Sequence, residues 1–156
     1  MKPRKKRDVL YPPGAFYFKP QGIPVPFLDI SNLTIDEYEA VRLGDHENLK
    51  HEEASKKMNI SRPTFTRLLE SAHSKISDAI VNGKAIRIEG GDYRFLKNRY
   101  RCRKCGSFWN AEEEAEKKKL EACPKCDSGE VEDVAKRFSG RIPGHGNNRM
   151  GHGWHK

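Results

Sequence analysis

The chain has 156 residues, enough for one ordinary domain or two small ones. Hydrophobic residues make up 35% and charged residues 33%, so any core is modest, and no apolar run approaches the ~20 residues that span a bilayer. Net charge is +8, from 30 basic and 22 acidic residues, a surplus that suits a polyanionic partner and that solubility alone could also explain.

The basic stretch Lys2 to Arg7 starts like the n-region of a signal peptide, but Val9-Leu10-Tyr11 runs straight into Pro12-Pro13 and no h-region follows. A cytoplasmic, membrane-free protein is expected, in which four cysteines read as metal ligands or redox groups before disulfides. The charge is uneven. Residues 1–32 hold six basic and two acidic side chains, and residues 33–60 hold four and seven. Residues 61–101 hold nine and four. Positive charge therefore marks the N-terminal arm and everything from Ser61 onward, with an acidic stretch between.

In chain order, residues 1–15 read as a basic flexible arm closed by Pro12-Pro13-Gly14. Lys5 and Arg7 could lie along phosphates or reach a minor groove, or the arm could be a solvated terminus. Phe16-Tyr17-Phe18 is strand-like, and Pro20, Pro24 and Pro26 exclude a helix before residue 27. Thr34 is a helix N-cap, with Glu37 completing a capping box. The first helix is predicted over about Ile35 to Leu43, ended by Gly44. A second runs from about His51 to Met58, with Glu52 and Lys56 at i, i+4 spacing on its outer face. Asn59 supplies a left-handed turn.

The third helix is predicted from Arg62 to about Val81. Ser61 caps it and Pro63 sits in its first turn, where a missing N–H costs little. Phe65, Leu68, Leu69, Ala72, Ile76 and Ile80 recur at helical spacing and define its inner face. Arg62, Thr64, Thr66 and Arg67 fall on other faces near its start, the end of a helix-turn-helix recognition helix that meets base edges. Asn82-Gly83 closes it. The alternating run Ala85 to Phe95, split by Gly90-Gly91, carries a hairpin signal. It could form a wing beside the recognition helix; pairing with the Phe16–Phe18 strand is the favoured expectation.

The stretch from Thr34 to Ile80 resembles the helix-turn-helix of sigma factor region four, through an acidic first helix, Glu52-Glu53-Ala54 in the second and Ser61-Arg62 with Thr64 and Arg67 in the third. Over about residues 16–96, Phe18-Lys19-Pro20, Gly22-Ile23-Pro24, Glu39-Ala40-Val41-Arg42-Leu43 and Ile88-Glu89-Gly90-Gly91 resemble a small prokaryotic family of uncharacterised proteins known by a domain-of-unknown-function label. That resemblance implies DNA binding, with Arg62, Thr64, Thr66 and Arg67 as contacts. Members of that family carry cysteines in the N-terminal arm; this arm has none.

Cys102-x-x-Cys105 and Cys123-x-x-Cys126 are separated by 17 residues, a spacing that suits a four-cysteine zinc ribbon over residues 97–138. About 40 residues bury too little apolar surface to fold alone, and structural zinc supplies on the order of 10 kcal/mol. Phe108 and Trp109 are expected to cover the site. Disulfides, a redox motif and an iron centre are the alternatives. A redox Cys-x-x-Cys opens a helix in a βαβ unit, and none is visible. Ala111 to Ala122 reads as an exposed helix with i, i+4 pairs Glu113–Lys117 and Glu114–Lys118. Residues 139–156 read as a disordered Gly/His-rich tail in which His145, His152 and His155 lack a fixed geometry.

The fold expected is mainly α: a three-helix helix-turn-helix core with a small hairpin or sheet, plus the ribbon. The function expected is sequence-specific binding of double-stranded DNA by a transcriptional regulator. Many helix-turn-helix proteins do this as homodimers on paired half-sites. An adaptor docking on RNA polymerase or another protein, or an RNA-binding protein using the ribbon, is the alternative. No nucleophile–base pair, phosphate loop or carboxylate pair points to an enzyme.

Overall fold

A computed structural model describes residues 5–111 and 121–139. Lys2, Arg4, most of the expected 111–122 helix and the Gly/His-rich tail with its three histidines lie outside the described residues. The elements are β1 (Arg7–Val9), β2 (Tyr17–Phe18), a 3-10 turn at Val25–Phe27, β3 (Ile30–Leu33), α1 (Ile35–Val41), α2 (His51–Lys57), α3 (Arg62–Asn82), β4 (Ala85–Ile88), β5 (Tyr93–Phe95), β6 (Asn98–Cys102), β7 (Phe108–Ala111), β8 (Val131–Asp133) and α4 (Lys136–Ser139). Helices and strands share the chain, so the expectation of a mainly α protein gives way to a mixed one. The strands form a parallel β1-β5 pair, a β2-β4-β3 sheet and a β7-β6-β8 sheet.

Local chemistry explains the helix ends. The Thr34 hydroxyl accepts from the Glu37 N–H, and the Glu37 carboxylate accepts from the Thr34 N–H at 2.9 Å, closing the capping box of α1. Beyond Val41 the chain makes a wider π turn over Arg42–His46 in place of the expected stop at Gly44. Asn59 turns with φ +55°, and Gly83 ends α3 with φ +64°, both left-handed. The Ser61 hydroxyl accepts from the Thr64 N–H, capping α3.

Two buried clusters hold this lobe. One joins Ala40, Leu43, Ala54, Met58, Phe65 and Leu69 across the three helices. The other joins Val9, Leu33, Ile35, Ala72 and Ile88, where the sheets meet α1 and α3. Burial of a side chain the size of Phe65 or Ile35 contributes about 1.5–3 kcal/mol. Ile80, expected inside, is 74% exposed, because the buried line of α3 runs through Phe65, Leu69, Ala72 and Ala79, and Ile80 lies one position round the helix from it.

The Gly90-Gly91 pair is not a hairpin turn. β4 pairs with β2 through Tyr17↔Arg87, as favoured, and with β3 in parallel, while β5 leaves to pair with β1. Gly91 is required there: at φ +96° its backbone passes so close to the Asp36 carboxylate and Thr34 that a Cβ would collide with them.

The flexible arm expected over residues 1–15 is instead built into the lobe from residue 7. Val9 is fully buried, and Pro12 and Pro13 are among the most buried side chains. The Asp8 N–H donates to the Met58 carbonyl at 3.0 Å, tying the arm to the end of α2. Farther along, the Arg99 guanidinium lies 5.5 Å from the Tyr11 ring centre and that of Arg137 lies 5.3 Å from that of Phe16. Residues 7–16 are thus a strap from the α2–α3 turn to the cysteine lobe. α4 returns the other way: Phe138 packs on the second cluster, and Tyr93 Oη donates to its carbonyl at 2.7 Å. The expected boundary at residue 138 therefore falls inside a contact between lobes.

Candidate nucleic-acid interface and metal centre

The first site is the tip of α3. Arg62 and Arg67 are exposed, and neither guanidinium has a hydrogen bond or ion pair among the described residues. Phe65 and Leu69, on the opposite face, anchor the helix in the core. Thr64 and Thr66 are already engaged. The Thr64 hydroxyl shares a 2.8 Å hydrogen bond with Ser61 Oγ. Thr66 Oγ1 donates to the Arg62 carbonyl at 3.1 Å and lies 2.9 Å from His51 Nδ1. Both threonines fix the tip's shape, and their methyl groups remain for contact.

Beside the tip lies a cleft of about 670 Å³, lined by Lys5, Arg7, Lys56, Asn59, Ile60, Ser61 and Thr64. The strap brings Lys5 and Arg7 here, and α2 brings Lys56. Arg7 is not free, because its guanidinium pairs with Asp36, whose side chain is 3% exposed. It therefore positions the strap and adds little net charge to the cleft. Lys56, read from the sequence as half of a surface pair, faces Glu52 only at 3.8 Å with both side chains more than 70% exposed, so that pair contributes little. Its place in the cleft left no mark in the sequence, because the strap that forms the other wall is some 50 positions away.

The acidic stretch of α1 is turned inward. Asp36, Glu37 and Glu39 are buried. Glu39 is held by Arg42 at 2.6 and 2.8 Å, and Glu37 by Lys75 at 2.8 Å and Ser71 at 2.7 Å. Burial pushes the Glu37 carboxyl upward, but the hydrogen bonds from Lys75, Ser71 and the Thr34 N–H outweigh it, and the group sits below the ordinary carboxylate range.

The second site is the cysteine cluster. Two knuckles of the same build meet. Gly106 N–H donates to Cys102 O at 2.9 Å and Asp127 N–H to Cys123 O at 2.8 Å. Cys102 N–H reaches Ser107 O and Cys123 N–H reaches Ser128 O in the same way. Gly106 and Asp127 occupy equivalent left-handed positions, at φ +76° and +59°. All four Sγ atoms lie within 4.8 Å of one another. Cys102–Cys126 and Cys105–Cys123 are 3.6 and 3.7 Å apart, too far for disulfides and close to the roughly 3.8 Å sulfur spacing of a tetrahedral zinc–thiolate centre.

The thiols pull one another apart in acidity. Burial opposes ionisation of Cys123, yet the Ser107 hydroxyl and the Cys126 and Lys125 N–H groups draw it down to about 6. Cys126 has a Ser128 N–H in its favour, but burial and the neighbouring thiols push it up to about 12. Four thiolates cannot coexist here without a cation between them. The residues fit a four-sulfur metal. Phe108 and Trp109 do not cover the site as expected: Phe108 is 44% exposed beneath Arg101, and Trp109 stacks on Tyr100.

Among the described residues no helix is long and apolar enough to cross a membrane. No solved structure matches the chain. A "UPF0251 protein" of Moorella thermoacetica is 45% identical over 149 residues, 96% of this chain and 95% of that one. One from Halothermothrix orenii is 43% identical over 85% of this chain and 98% of its own, and one from Methanocella arvoryzae 41% over 94% and 93%. The family described as "Protein of unknown function DUF134" matches residues 1–96, which include the three-helix lobe and its strap, and the chain belongs to that family of prokaryotic proteins.

Proposed function

We propose that the protein binds double-stranded DNA sequence-specifically, as a transcriptional regulator, with the start of α3 in the major groove. The observation that carries this reading is the pair of exposed, unpartnered guanidiniums of Arg62 and Arg67 on a capped 21-residue helix, beside a cleft holding Lys5 and Lys56. An exposed Arg with no internal partner can take guanine O6 and N7 in two hydrogen bonds, worth about 1–3 kcal/mol of discrimination. The lysines suit phosphates, which add affinity without sequence information. Lys56 is carried by α2, and Lys5 lies just before the strap that β1 pairs to β5, so both stand beside the tip.

The cysteine centre holds one structural zinc ion in this reading. Cys102, Cys105, Cys123 and Cys126 are the ligands, and zinc supplies folding energy with no open position for catalysis. A docking adaptor, on RNA polymerase or on a second copy of the chain, is the other reading. It is favoured by Phe18, Ile80 and Val81, which are 53, 74 and 79% exposed at the end of the lobe away from the tip. Selection of metal-replete protein on random duplex DNA separates the two. Enrichment of a defined sequence supports the regulator, and retention of no duplex at any salt concentration rejects it.

A further inference from the structure

We propose that Glu70 is a specificity-determining residue of the DNA-reading surface, its carboxylate accepting from the exocyclic amino group of a cytosine in the major groove. This role rests on duplex binding by α3 and adds a second base to what that helix reads. α3 carries six ionisable side chains, and they divide along its length. Past Ala72 each has a partner: His73 lies 2.6 Å from Asp45, Lys75 2.8 Å from Glu37 and Asp78 2.7 Å from Lys84. Before Ala72, Arg62, Arg67 and Glu70 have no hydrogen bond or ion pair among the described residues. The open charges of the helix are gathered toward its tip, and one of them has the wrong sign for a phosphate.

Glu70 shares the outward stripe of α3 with Arg67. Pro63, Arg67, Glu70 and Ser74 recur at helical spacing and are all exposed, on the side away from Phe65, Leu69 and Ala72. Arg67 and Glu70, one turn apart, could pair with each other; they form no ion pair, so both heads are available to a ligand. A helix rises about 4.5 Å over three residues, close to the roughly 3.4 Å base step, which sets Glu70 over the base pair next to the one that Arg67 meets. There the base edges decide. Guanine and thymine present acceptors to the major groove, and both repel a carboxylate. Adenine sets an acceptor beside its amino donor, whereas cytosine presents the donor alone and is the base a carboxylate matches. Among phosphates only, the same carboxylate weakens binding by like-charge repulsion. Glu70 therefore discriminates in two ways, by attraction to cytosine and by repulsion from duplexes that do not offer it.

The test is selection on random duplex DNA, run in parallel with the full-length, metal-loaded parent and with Glu70→Ala. Both proteins are then titrated on the duplex the parent recovers and on a random one. The parent's site should hold a cytosine at one position, and Glu70→Ala should lose that preference while keeping the others. Glu70→Ala should bind the recovered duplex at least about fivefold more weakly. It should bind the random duplex about two- to threefold more tightly at low salt, a gain that fades as salt rises. Its Tm should match the parent's, because Glu70 is exposed and unpartnered, which excludes misfolding as the cause. Opposite changes on the two duplexes are what a carboxylate that only faces solvent does not produce. Equal tightening on both, or an unchanged cytosine preference, overturns the role and leaves duplex binding by α3 standing. A parent that recovers no sequence removes the regulator reading, and this role with it.

Discussion

The three-helix lobe and the cysteine lobe reach stability by different routes. The first buries Phe65, Ile35, Leu43, Met58 and Val9 completely and ties its buried carboxylates to Arg7, Arg42 and Lys75. In the second, from Asn98 to Val134, the buried apolar side chains among the described residues are Cys102, Cys123 and Val134. A lobe whose core is little more than four clustered thiols and one valine is expected to need a metal to fold, whereas a lobe with an aliphatic and aromatic core is not.

The sharpest way to break that contrast is to strip the metal. A chelator under reducing conditions, or Cys102→Ser with Cys123→Ser, should remove on the order of 10 kcal/mol from the cysteine lobe. Amide exchange should become fast over β6 to β8 and stay protected over α1 to α3. Because Phe138 packs on the first lobe, its Tm should fall by a few degrees as well. Unfolding of both lobes in a single step would show that the division is wrong. Next in size is Phe65→Ala, expected to cost about 3–5 kcal/mol in denaturant unfolding of the first lobe, with no change in metal content.

Smaller effects sharpen the electrostatic half of the comparison. Glu37 has a folded pKa lowered below its unfolded value. Its contribution is therefore present above the unfolded value, near 4.5, and is lost as pH falls through the lower folded value. Glu37→Gln should cost about 1–2 kcal/mol at neutral pH, and the difference from the parent should shrink toward nothing in acid. A difference independent of pH would mean that Lys75 and Ser71 do not stabilise the ionised form. Smallest is Lys56→Ala, which should weaken all duplexes alike and lower the salt slope by about 1.

What the sequence discloses divides along the same line. Signals confined to a few neighbouring residues are legible: the Thr34–Glu37 capping box, Ser61, the left-handed Asn59 and Gly83, and both Cys-x-x-Cys knuckles. Asp127 shows that a knuckle can turn without glycine, a detail no spacing rule supplies. Long-range pairings are not legible. Nothing near Arg7-Asp8-Val9 marks a strand that pairs in parallel with Tyr93–Phe95, and nothing near Arg7 names Asp36 as its partner. The basic arm looked mobile because its charges are local while its anchors are distant. The Gly-Gly pair imitated a hairpin because alternation on both sides is local, whereas the choice of β2 and β3 as neighbours of β4 is not. Ile80 fits the helical period four residues after Ile76, but the buried face takes the three-residue step to Ala79 instead.

The central claim concerns the helix tip, and a pair of titrations addresses it directly. Arg67→Ala is measured against the parent on a duplex taken from selection and on a random duplex, at fixed salt and with metal retained. The account predicts a loss of about 5- to 150-fold on the selected sequence and little change on the random one. An equal loss on both would reduce Arg67 to a phosphate contact, and no loss on either would remove α3 from the groove.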